Sequence, residues 1–278
     1  MRLDDRIRKC VVFIQGPKIG VETGTSVDRA TGFIITMESN SSIAHHYLVT
    51  ARHVAERCEQ NGLVGIRLNR RDGQSAVVRF EPSKWVFHET DETIDVAVVP
   101  CPFDPSEYDC MPIPVDPMFL AGPRTLKSKG IGIGDNIYVV GLFSSIAGVE
   151  RILPLVRSGT IAMIPEERVG TAWPKAQNVG IEAYLVEAFS IAGLSGAPVF
   201  VARTIPVPAA ARSGRQPVAE GAHFLLGLLH GHWKVKLDQG EQASDFYRDQ
   251  INFGLASVVP AERILETVNH PKLRAIRS

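Results

Sequence analysis

One hydroxyl lies among small residues in Gly-Leu-Ser-Gly-Ala-Pro at 193–198. The two glycines permit backbone conformations that a side chain would forbid. A turn of this kind can present Ser195 outward and direct the N–H groups of Gly193 and Ser195 toward one point beside it. Converging N–H groups of that kind are what an oxyanion hole needs. The motif predicts a nucleophilic serine with an oxyanion hole, and its alternative is a strand-entry turn that happens to contain a serine.

A serine hydroxyl is a weak nucleophile at neutral pH, so it needs a base that is itself oriented by a third group. Among the eight histidines, His53 directly follows a strand pattern, in Leu-Val-Thr-Ala-Arg-His-Val at 48–54. Asp95 begins the apolar run 95–99, and a carboxylate at such a position is partly buried and usually has a partner. The three residues each lie at a strand boundary, which predicts a base, an orienting acid and a nucleophile.

The elements that must position these residues are mostly strands. A helix is predicted at 260–268, where Pro comes first and apolar residues follow at helical spacing, and residues 51–57 predict one or two helical turns. A connector rich in Pro and Asp at 104–123 divides the chain into two halves. β-branched and apolar runs between turn residues predict strands at 10–15, 32–37, 47–50, 63–68, 76–80, 96–99, 136–142, 153–164, 180–187, 197–202, 223–230 and 251–258.

Short strands in two halves predict an all-β fold of two antiparallel barrels or sandwiches with a C-terminal helix. The first unit, residues 1–115, would carry His53 and Asp95, and the second unit, residues 116–278, would carry Ser195 and the helix. Two polar insertions are predicted as surface loops, open to a role in regulation or substrate docking. These insertions are residues 203–221 and 239–249.

Composition excludes several classes of protein. Thirty basic and thirty acidic residues cancel, so neither a nucleic-acid nor a membrane partner is expected. No apolar run approaches the roughly 18 residues of a membrane span, and the first residues lack the pattern of a signal peptide. Four scattered cysteines predict reduced thiols and a cytoplasmic location rather than a disulfide framework. No metal-ligand spacing, phosphate loop or cofactor motif is present, so no metal and no cofactor are expected.

The chain order His53, Asp95, Ser195 resembles that of the trypsin-like serine peptidases with the chymotrypsin fold. Within that family the sequence is similar to the bacterial HtrA/Deg-like branch. Only about ten residues follow 268, so no PDZ domain is expected. The resemblance covers roughly residues 11–268 and is carried by seven segments in the family's order, at 48–54, 95–98, 134–141, 157–161, 193–198, 227–231 and 254–256.

The resemblance implies that the two units are antiparallel six-stranded β-barrels and that a C-terminal helix follows them. It also implies a serine endopeptidase acting on protein or peptide substrates. Ser195 would attack the peptide carbonyl, His53 would take its proton and return it to the leaving amine, and Asp95 would orient the imidazole. The N–H groups of Gly193 and Ser195 would bind the oxyanion. A regulatory protein partner is possible. The alternatives are a catalytically silent protease-fold module that binds or senses a partner, and an esterase-like hydrolase that uses the same triad.

The resemblance also implies a specificity pocket. Phe189 would form its base, with Ser190 beside it, and further substrate-binding residues would be His230, Gly231, Gly254 and Ala256. No acid lies at the base, so a basic P1 side chain would be buried without a counter-charge, which is costly. We therefore expect a small or medium apolar residue at P1. Alternatively, Phe189 could point into the barrel core.

Four positions depart from the family pattern. Leu194 replaces the acid that pairs with a new N-terminus in zymogen-activated members, so no switch of that kind is expected. Ala197 replaces the usual second glycine, a mild change. Arg52 precedes His53, and we expect its side chain in solvent, with substrate contact as the alternative. His230 could bond Asp95 or shape the cleft, or it could be an ordinary core histidine.

Overall fold

The computed structural model describes most of the chain. None of the helices among the described residues is long and apolar enough to cross a lipid bilayer. All four cysteines are among the described residues, where they are buried and form no disulfide bonds. The expected insertions 203–221 and 239–249 and the candidate Ser190 lie outside the described residues. The described residues are 5–17, 26–38, 43–60, 65–79, 84–101, 104–115, 120–170, 180–189, 193–202, 223–234 and 252–277.

The N-terminal half forms one sheet around an apolar core that includes Phe13, Phe33 and Tyr47. Seven of its strands pair antiparallel in the order β5-β4-β1-β2-β3-β7-β6, and β8 pairs parallel with β2. The strands are β1 (Val11–Pro17), β2 (Ser26–Glu38), β3 (Ala44–Thr50), β4 (Gly65–Asn69), β5 (Ser75–Arg79), β6 (Val86–Phe87), β7 (Ala97–Pro100) and β8 (Ile113–Pro114).

The sequence predicts six strands for this half, and the structure has eight. The two additional strands, β6 and β8, span only two residues each, too few to give a periodic pattern. β8 also lies within the Pro-rich stretch that predicts a plain connector. In the described residues this half is a sheet of eight strands, and a closed ring of strands is found in the other half.

The C-terminal half confirms the predicted six-stranded barrel. Its strands close in the order β10-β11-β14-β13-β12-β9. Apolar side chains such as Val139, Val199 and Leu226 fill its interior. The strands are β9 (Asn136–Gly141), β10 (Leu155–Met163), β11 (Tyr184–Glu187), β12 (Pro198–Ala202), β13 (Phe224–Lys234) and β14 (Asn252–Pro260).

The predicted C-terminal helix is present, and a second helix follows it. Ile264 and Leu273, one from each of these two helices, belong to the core cluster of the N-terminal sheet. Arg277 donates hydrogen bonds to Tyr47 Oη at 3.1 Å and to the Val268 carbonyl at 2.8 Å. The end of the chain therefore joins the barrel to the sheet. The helices are α1 (Arg6–Lys9), α2 (Arg52–Gln60), α3 (Pro123–Lys129), α4 (Ala261–Val268) and α5 (Pro271–Arg277).

Candidate active site

His53 and Asp95 meet because the strands beside them pair. Thr50, the last residue of β3, is paired with Ala97, the first residue of β7. That register brings the start of α2 next to the residues that precede β7. His53 Nδ1 lies 2.8 Å from Asp95 Oδ2, and the His53 backbone N–H donates to Asp95 Oδ1 at 2.9 Å. An ionised carboxylate only accepts hydrogen bonds, so Nδ1 carries the proton and Nε2 is left as the basic nitrogen.

Asp95 is almost fully buried, with 1% of its surface exposed. Burial by itself would raise the pKa of this carboxyl, but the charges and hydrogen bonds of His53 and His230 hold the pKa of Asp95 well below its usual range. The carboxylate therefore stays ionised at neutral pH. An ionised carboxylate in this position can stabilise an imidazolium on the neighbouring histidine.

His230, in β13, makes the second side-chain contact of this carboxylate. Its Nδ1 forms a short hydrogen bond to Asp95 Oδ2, the same oxygen that His53 contacts. The two imidazole rings meet edge to face, with centroids 5.6 Å apart and planes at 81°. The sequence left several roles open for His230, and the structure shows the one in which it forms a hydrogen bond to Asp95.

The turn that carries Ser195 depends on glycine at two positions. Gly193 has a φ of +102° and Gly196 a φ of +84°, both in the region that residues with a Cβ rarely adopt. Gly196 is also pressed against the N-terminal sheet. A Cβ placed there would lie 2.3 Å from both the Thr31 carbonyl oxygen and Thr50 Oγ1. The turn can therefore take this shape and position only with glycine at 196.

Thr31 in β2 is the residue on which the turn docks. Its N–H donates to the Ser195 carbonyl at 3.1 Å, and its hydroxyl donates to the Gly193 carbonyl at 2.7 Å. The same hydroxyl accepts the Leu142 N–H at 2.9 Å, and Thr50 Oγ1 donates to the Thr31 carbonyl at 2.8 Å. Sequence reasoning missed Thr31, because a threonine within a strand gives no signal of a contact with a turn more than 160 residues later.

The reacting groups of the turn make no bonds to the rest of the described chain. No hydrogen bond joins Ser195 Oγ to His53 among the described residues. Within the same ranges, the N–H groups of Gly193 and Ser195 donate to no other group.

Leu194 anchors the turn in the C-terminal barrel. Its side chain is 1% exposed and belongs to the barrel core. It packs closely against β9, since a Cβ on Gly141 would lie 2.9 Å from Leu194 Cδ2. An apolar side chain thus fills the place that the resemblance assigns to an acid in zymogen-activated proteases.

The expected specificity residues differ in exposure. Phe189 is 64% exposed, so it lies outside the barrel core. Its ring is near Gly254, where a Cβ would lie 3.9 Å from two ring carbons, and the Ala188 N–H donates to the Gly254 carbonyl at 2.7 Å. A Cβ on Gly231 would meet no atom within 4 Å, which leaves open space there. Ala256 is fully buried in the barrel core.

The expectation for Arg52 is wrong. Its side chain does not lie in solvent, since the residue is 8% exposed. The guanidinium pairs with Glu56 Oε1 at 2.8 Å and lies 4.8 Å over the ring of Phe87. Residue i+4 on the helix offers a carboxylate and the neighbouring strand offers an aromatic face, so the cation has partners within the fold.

A second feature that the sequence did not predict supports the residues before Asp95. Arg168, from the loop between β10 and β11, forms an ion pair with Asp91 and donates to Thr93 Oγ1 at 3.0 Å. Burial would raise the pKa of Asp91, but hydrogen bonds from Thr93 and Arg168 lower it to about 2. The C-terminal half thus holds the turn that leads to the buried carboxylate.

His53, Asp95 and His230 are also the described residues whose arrangement comes nearest to a metal site. In the described part of the chain, His53, Asp95 and His230 are the one group of three such side chains whose ligand atoms all lie within 4.8 Å of one another. Both imidazoles direct Nδ1 at one carboxylate oxygen, and a ligating nitrogen must first lose its proton. A metal would have to replace both hydrogen bonds, so the geometry favours the hydrogen-bonded arrangement.

No protein-family model matches the sequence, and no curated protein matches it. Solved structures do resemble it in three dimensions. The MamO protease domain from Magnetospirillum magneticum, in its apo form, has a TM-score of 0.51 at 12% identity, over 94% of this chain and 96% of that chain. The Rv3671c protease from M. tuberculosis, in its active form, has a TM-score of 0.50 at 15% identity, over 94% of this chain and 80% of that chain.

At these identities the likeness establishes the fold alone. The chain has the fold of the trypsin-like serine proteases, as the sequence predicted. The activity of a chain with this fold depends on the residues of its own site.

Proposed function

We propose that this chain is a serine endopeptidase that works through an acyl-enzyme. Ser195 attacks the substrate carbonyl while His53 Nε2 accepts its proton, and the N–H groups of Gly193 and Ser195 bind the oxyanion. His53 then delivers the proton to the leaving amine, and water repeats the sequence to release the acid. Asp95 holds the imidazole in the required tautomer and stabilises the imidazolium.

The observation that carries the proposal is the pairing of His53 with a buried, ionised Asp95. The carboxylate receives both the ring Nδ1–H and the backbone N–H of the same histidine, at 2.8 and 2.9 Å. A buried carboxylate bonded in this way fixes both the orientation of the ring and its tautomer. The Ser195 turn is bonded to Thr31, and its Gly196 lies against Thr50, which precedes His53 by three residues. This docking supports placing the hydroxyl beside the base.

We further propose that residues 1–115 and 116–278 form two barrel units, the first supplying His53 and Asp95 and the second supplying Ser195. The strands β1 to β8 fall within the first range, and the six strands of the closed barrel fall within the second. In this arrangement the site exists only where the two units are docked, and Thr31 supplies contacts from the first unit to the Ser195 turn.

Labelling with an alkyl fluorophosphonate tests the reaction without knowledge of the substrate. The reagent phosphonylates a serine only where a base activates it and N–H donors bind its oxygen. We expect stoichiometric labelling of the wild type and none in Ser195→Ala. Ser144→Ala, which removes a hydroxyl from a turn after β9, is the control and should label like the wild type. Equal labelling of Ser195→Ala and wild type would overturn the assignment of the nucleophile.

We propose an apolar preference at P1, supported by the exposed ring of Phe189 beside Gly254 and the open space at Gly231. Phe189 is apolar and offers no charge to pair with a basic P1 side chain. Peptidyl phosphonates that differ only at P1 should react at least tenfold faster with Val or Leu than with Lys, because burying an unpaired ammonium is costly. Faster reaction of the Lys reagent would contradict the preference.

One observation favours a second candidate, a silent protease-fold module that binds a partner. No hydrogen bond joins Ser195 Oγ to His53 among the described residues. Catalytic hydrogen bonds are often long without substrate, so the contact can form when a ligand binds. Absence of labelling under all conditions, in protein that melts cooperatively, would favour the silent module.

A further inference from the structure

The β9–β10 segment, residues 142–154, belongs to the C-terminal half but is bonded to the N-terminal sheet. Asn69 in β4 accepts the Ile152 N–H at 2.9 Å and donates to the Ile152 carbonyl at 3.2 Å. The Ser75 N–H in β5 donates to the Glu150 carbonyl at 2.7 Å. The segment therefore lies along the β4–β5 edge of the sheet and is held there by hydrogen bonds.

Arg67, in β4, joins this segment to a second strand of the sheet. It donates to two successive carbonyls of the segment, that of Gly148 at 2.9 Å and that of Val149 at 2.5 Å. Its guanidinium also pairs with Asp28 Oδ2 in β2 at 2.9 Å, and the two side chains are only 11% and 6% exposed. The planar fork of an arginine in such a pair keeps one orientation, so it can hold the two carbonyls as well.

The first residue of the β9–β10 segment is attached to the same strand, β2. The Leu142 N–H donates to Thr31 Oγ1 at 2.9 Å, and Thr31 follows Asp28 by three residues. The chain then makes one short 3₁₀ turn before it reaches Gly148. Both ends of this stretch are thus attached to β2, at one end directly and at the other end through Arg67.

Leu142 also supports the turn that carries Ser195. A Cβ on Gly193 would lie 3.0 Å from both Leu142 Cγ and the Leu142 carbonyl oxygen, so the two residues are in close contact. The N–H of Gly193 is one of the two donors that the proposed function assigns to the oxyanion. Stabilisation of a developing charge depends on where such a donor points, so a displacement of Leu142 would weaken it.

We propose that Arg67 is a positioning residue for the Gly193 donor and acts through the β9–β10 segment. The inference rests on the proposed function. Arg67 fixes the segment at Gly148, and the segment holds Leu142 against Gly193. Without the bonds from Arg67, this stretch stays attached to β2 only through Thr31. The donor then loses its fixed direction, and the attack on the substrate carbonyl slows.

The paired replacement Arg67→Met with Asp28→Asn removes the bonds to the segment. Both charges are removed together, so neither is left buried without its partner. A 1 Å misplacement of a reacting group can cost about 10²-fold, and a partial displacement of one donor should slow fluorophosphonate labelling about tenfold. Arg67→Lys keeps a cation for Asp28 and one donor for a carbonyl, so it should recover part of the rate. Labelling of the paired variant at the wild-type rate would overturn the inference.

Val78→Ala separates positioning from stability. Val78 lies in β5 and packs against the core of the N-terminal sheet, so its truncation should lower the midpoint of urea unfolding. Labelling of Val78→Ala should stay at the wild-type rate. The low-field proton between His53 and Asp95 should be unchanged both in this variant and in the paired variant. If Val78→Ala slows labelling as much as the paired variant does, the effect of Arg67 is general destabilisation and the inference fails.

Amide NMR spectra test the positioning without any activity. In nitrogen–proton correlation spectra, the paired variant should shift the amide resonances of Leu142 and Gly193, whereas Val78→Ala should shift neither. Unchanged resonances of both amides in the paired variant would contradict the role of Arg67. If the wild type fails to label, the proposed function fails, and the amide shifts still decide whether Arg67 positions Gly193.

Discussion

His53 and Asp95 are joined by direct hydrogen bonds to the Asp95 carboxylate, whereas Ser195 is positioned by the turn that carries it. The acid–base pair has two direct bonds, at 2.8 and 2.9 Å, and a buried carboxylate at its centre. The turn of Ser195 is held by its Gly193 and Ser195 carbonyls, which bond to Thr31, and by the fit of Gly196 against the sheet.

This difference between the acid–base pair and the Ser195 turn reflects the task of each. A buried charge requires partners for its stability, so the acid and base organise each other. A neutral hydroxyl needs no partner, and its position is decided by the shape of the turn that carries it. Substitutions in the acid–base pair should therefore change chemistry, while those in the Ser195 turn or in the residues on which it docks should change placement.

The largest effect is expected for Asp95→Asn, which tests the acid–base pair. The amide can donate to His53 Nδ1, which leaves the proton on Nε2 and removes the basic nitrogen from Ser195. The labelling rate should fall by about 10⁴-fold. The control is Asp91→Asn, on the turn that leads to the same residue, which should stay within a few-fold of wild type. A fall of less than tenfold in Asp95→Asn would show that the carboxylate does not orient the base.

A smaller effect is expected for Gly196→Ala, which tests the turn that carries Ser195. The added Cβ would lie 2.3 Å from Thr31 O and Thr50 Oγ1, at a φ of +84°, so the turn must leave the sheet. The labelling rate should fall by about 10²-fold, as misplacement of a reacting group by 1 Å can cause. Gly73→Ala is the matched control, because Gly73 has a φ of +95° but no atom within 4 Å of the added Cβ.

Gly73→Ala separates backbone strain from the contact with the sheet. Both variants place alanine in the left-handed region, at a cost of about 1–2 kcal/mol in unfolding free energy. Only Gly196→Ala should lose labelling. Equal labelling of the two variants would show that close approach of the turn to the N-terminal sheet is not required.

The smallest effect is expected for Thr31→Val. The substitution keeps the shape of the side chain but removes the bonds of its hydroxyl with the Gly193 carbonyl and the Leu142 N–H. One buried and one partly buried backbone group lose a partner, so unfolding should be easier by about 2–4 kcal/mol and labelling about tenfold slower. The measurements are urea unfolding and the labelling rate.

Thr36→Val, on the same strand, is the matched control for Thr31→Val. The Thr36 hydroxyl is buried and has no hydrogen-bond partner among the described residues, so its loss should leave stability unchanged or raise it. If both variants destabilise the protein equally, the effect belongs to the strand and not to the docking of the turn.

Much of the fold follows from local patterns. The apolar runs predict β1 to β5, β7 and all six barrel strands, because alternation and β-branched residues are properties of short segments. The strands β6 and β8 and the helices α1, α3 and α5 are missed, since these short elements carry weak local signals and depend on packing. Arg52 is placed wrongly for the same reason, because its partners Glu56 and Phe87 are reached only in the folded chain.

The sequence by itself determines which residue types can act, namely a serine between two glycines, a histidine after a strand and an aspartate before one. Composition and motif spacing suffice for this, because the chemistry of a side chain is local. Only the tertiary structure decides that His230 shares the oxygen of Asp95 with His53 and that Thr31 holds the turn of Ser195. Those contacts join residues more than 130 positions apart, and strand pairing and domain packing create them.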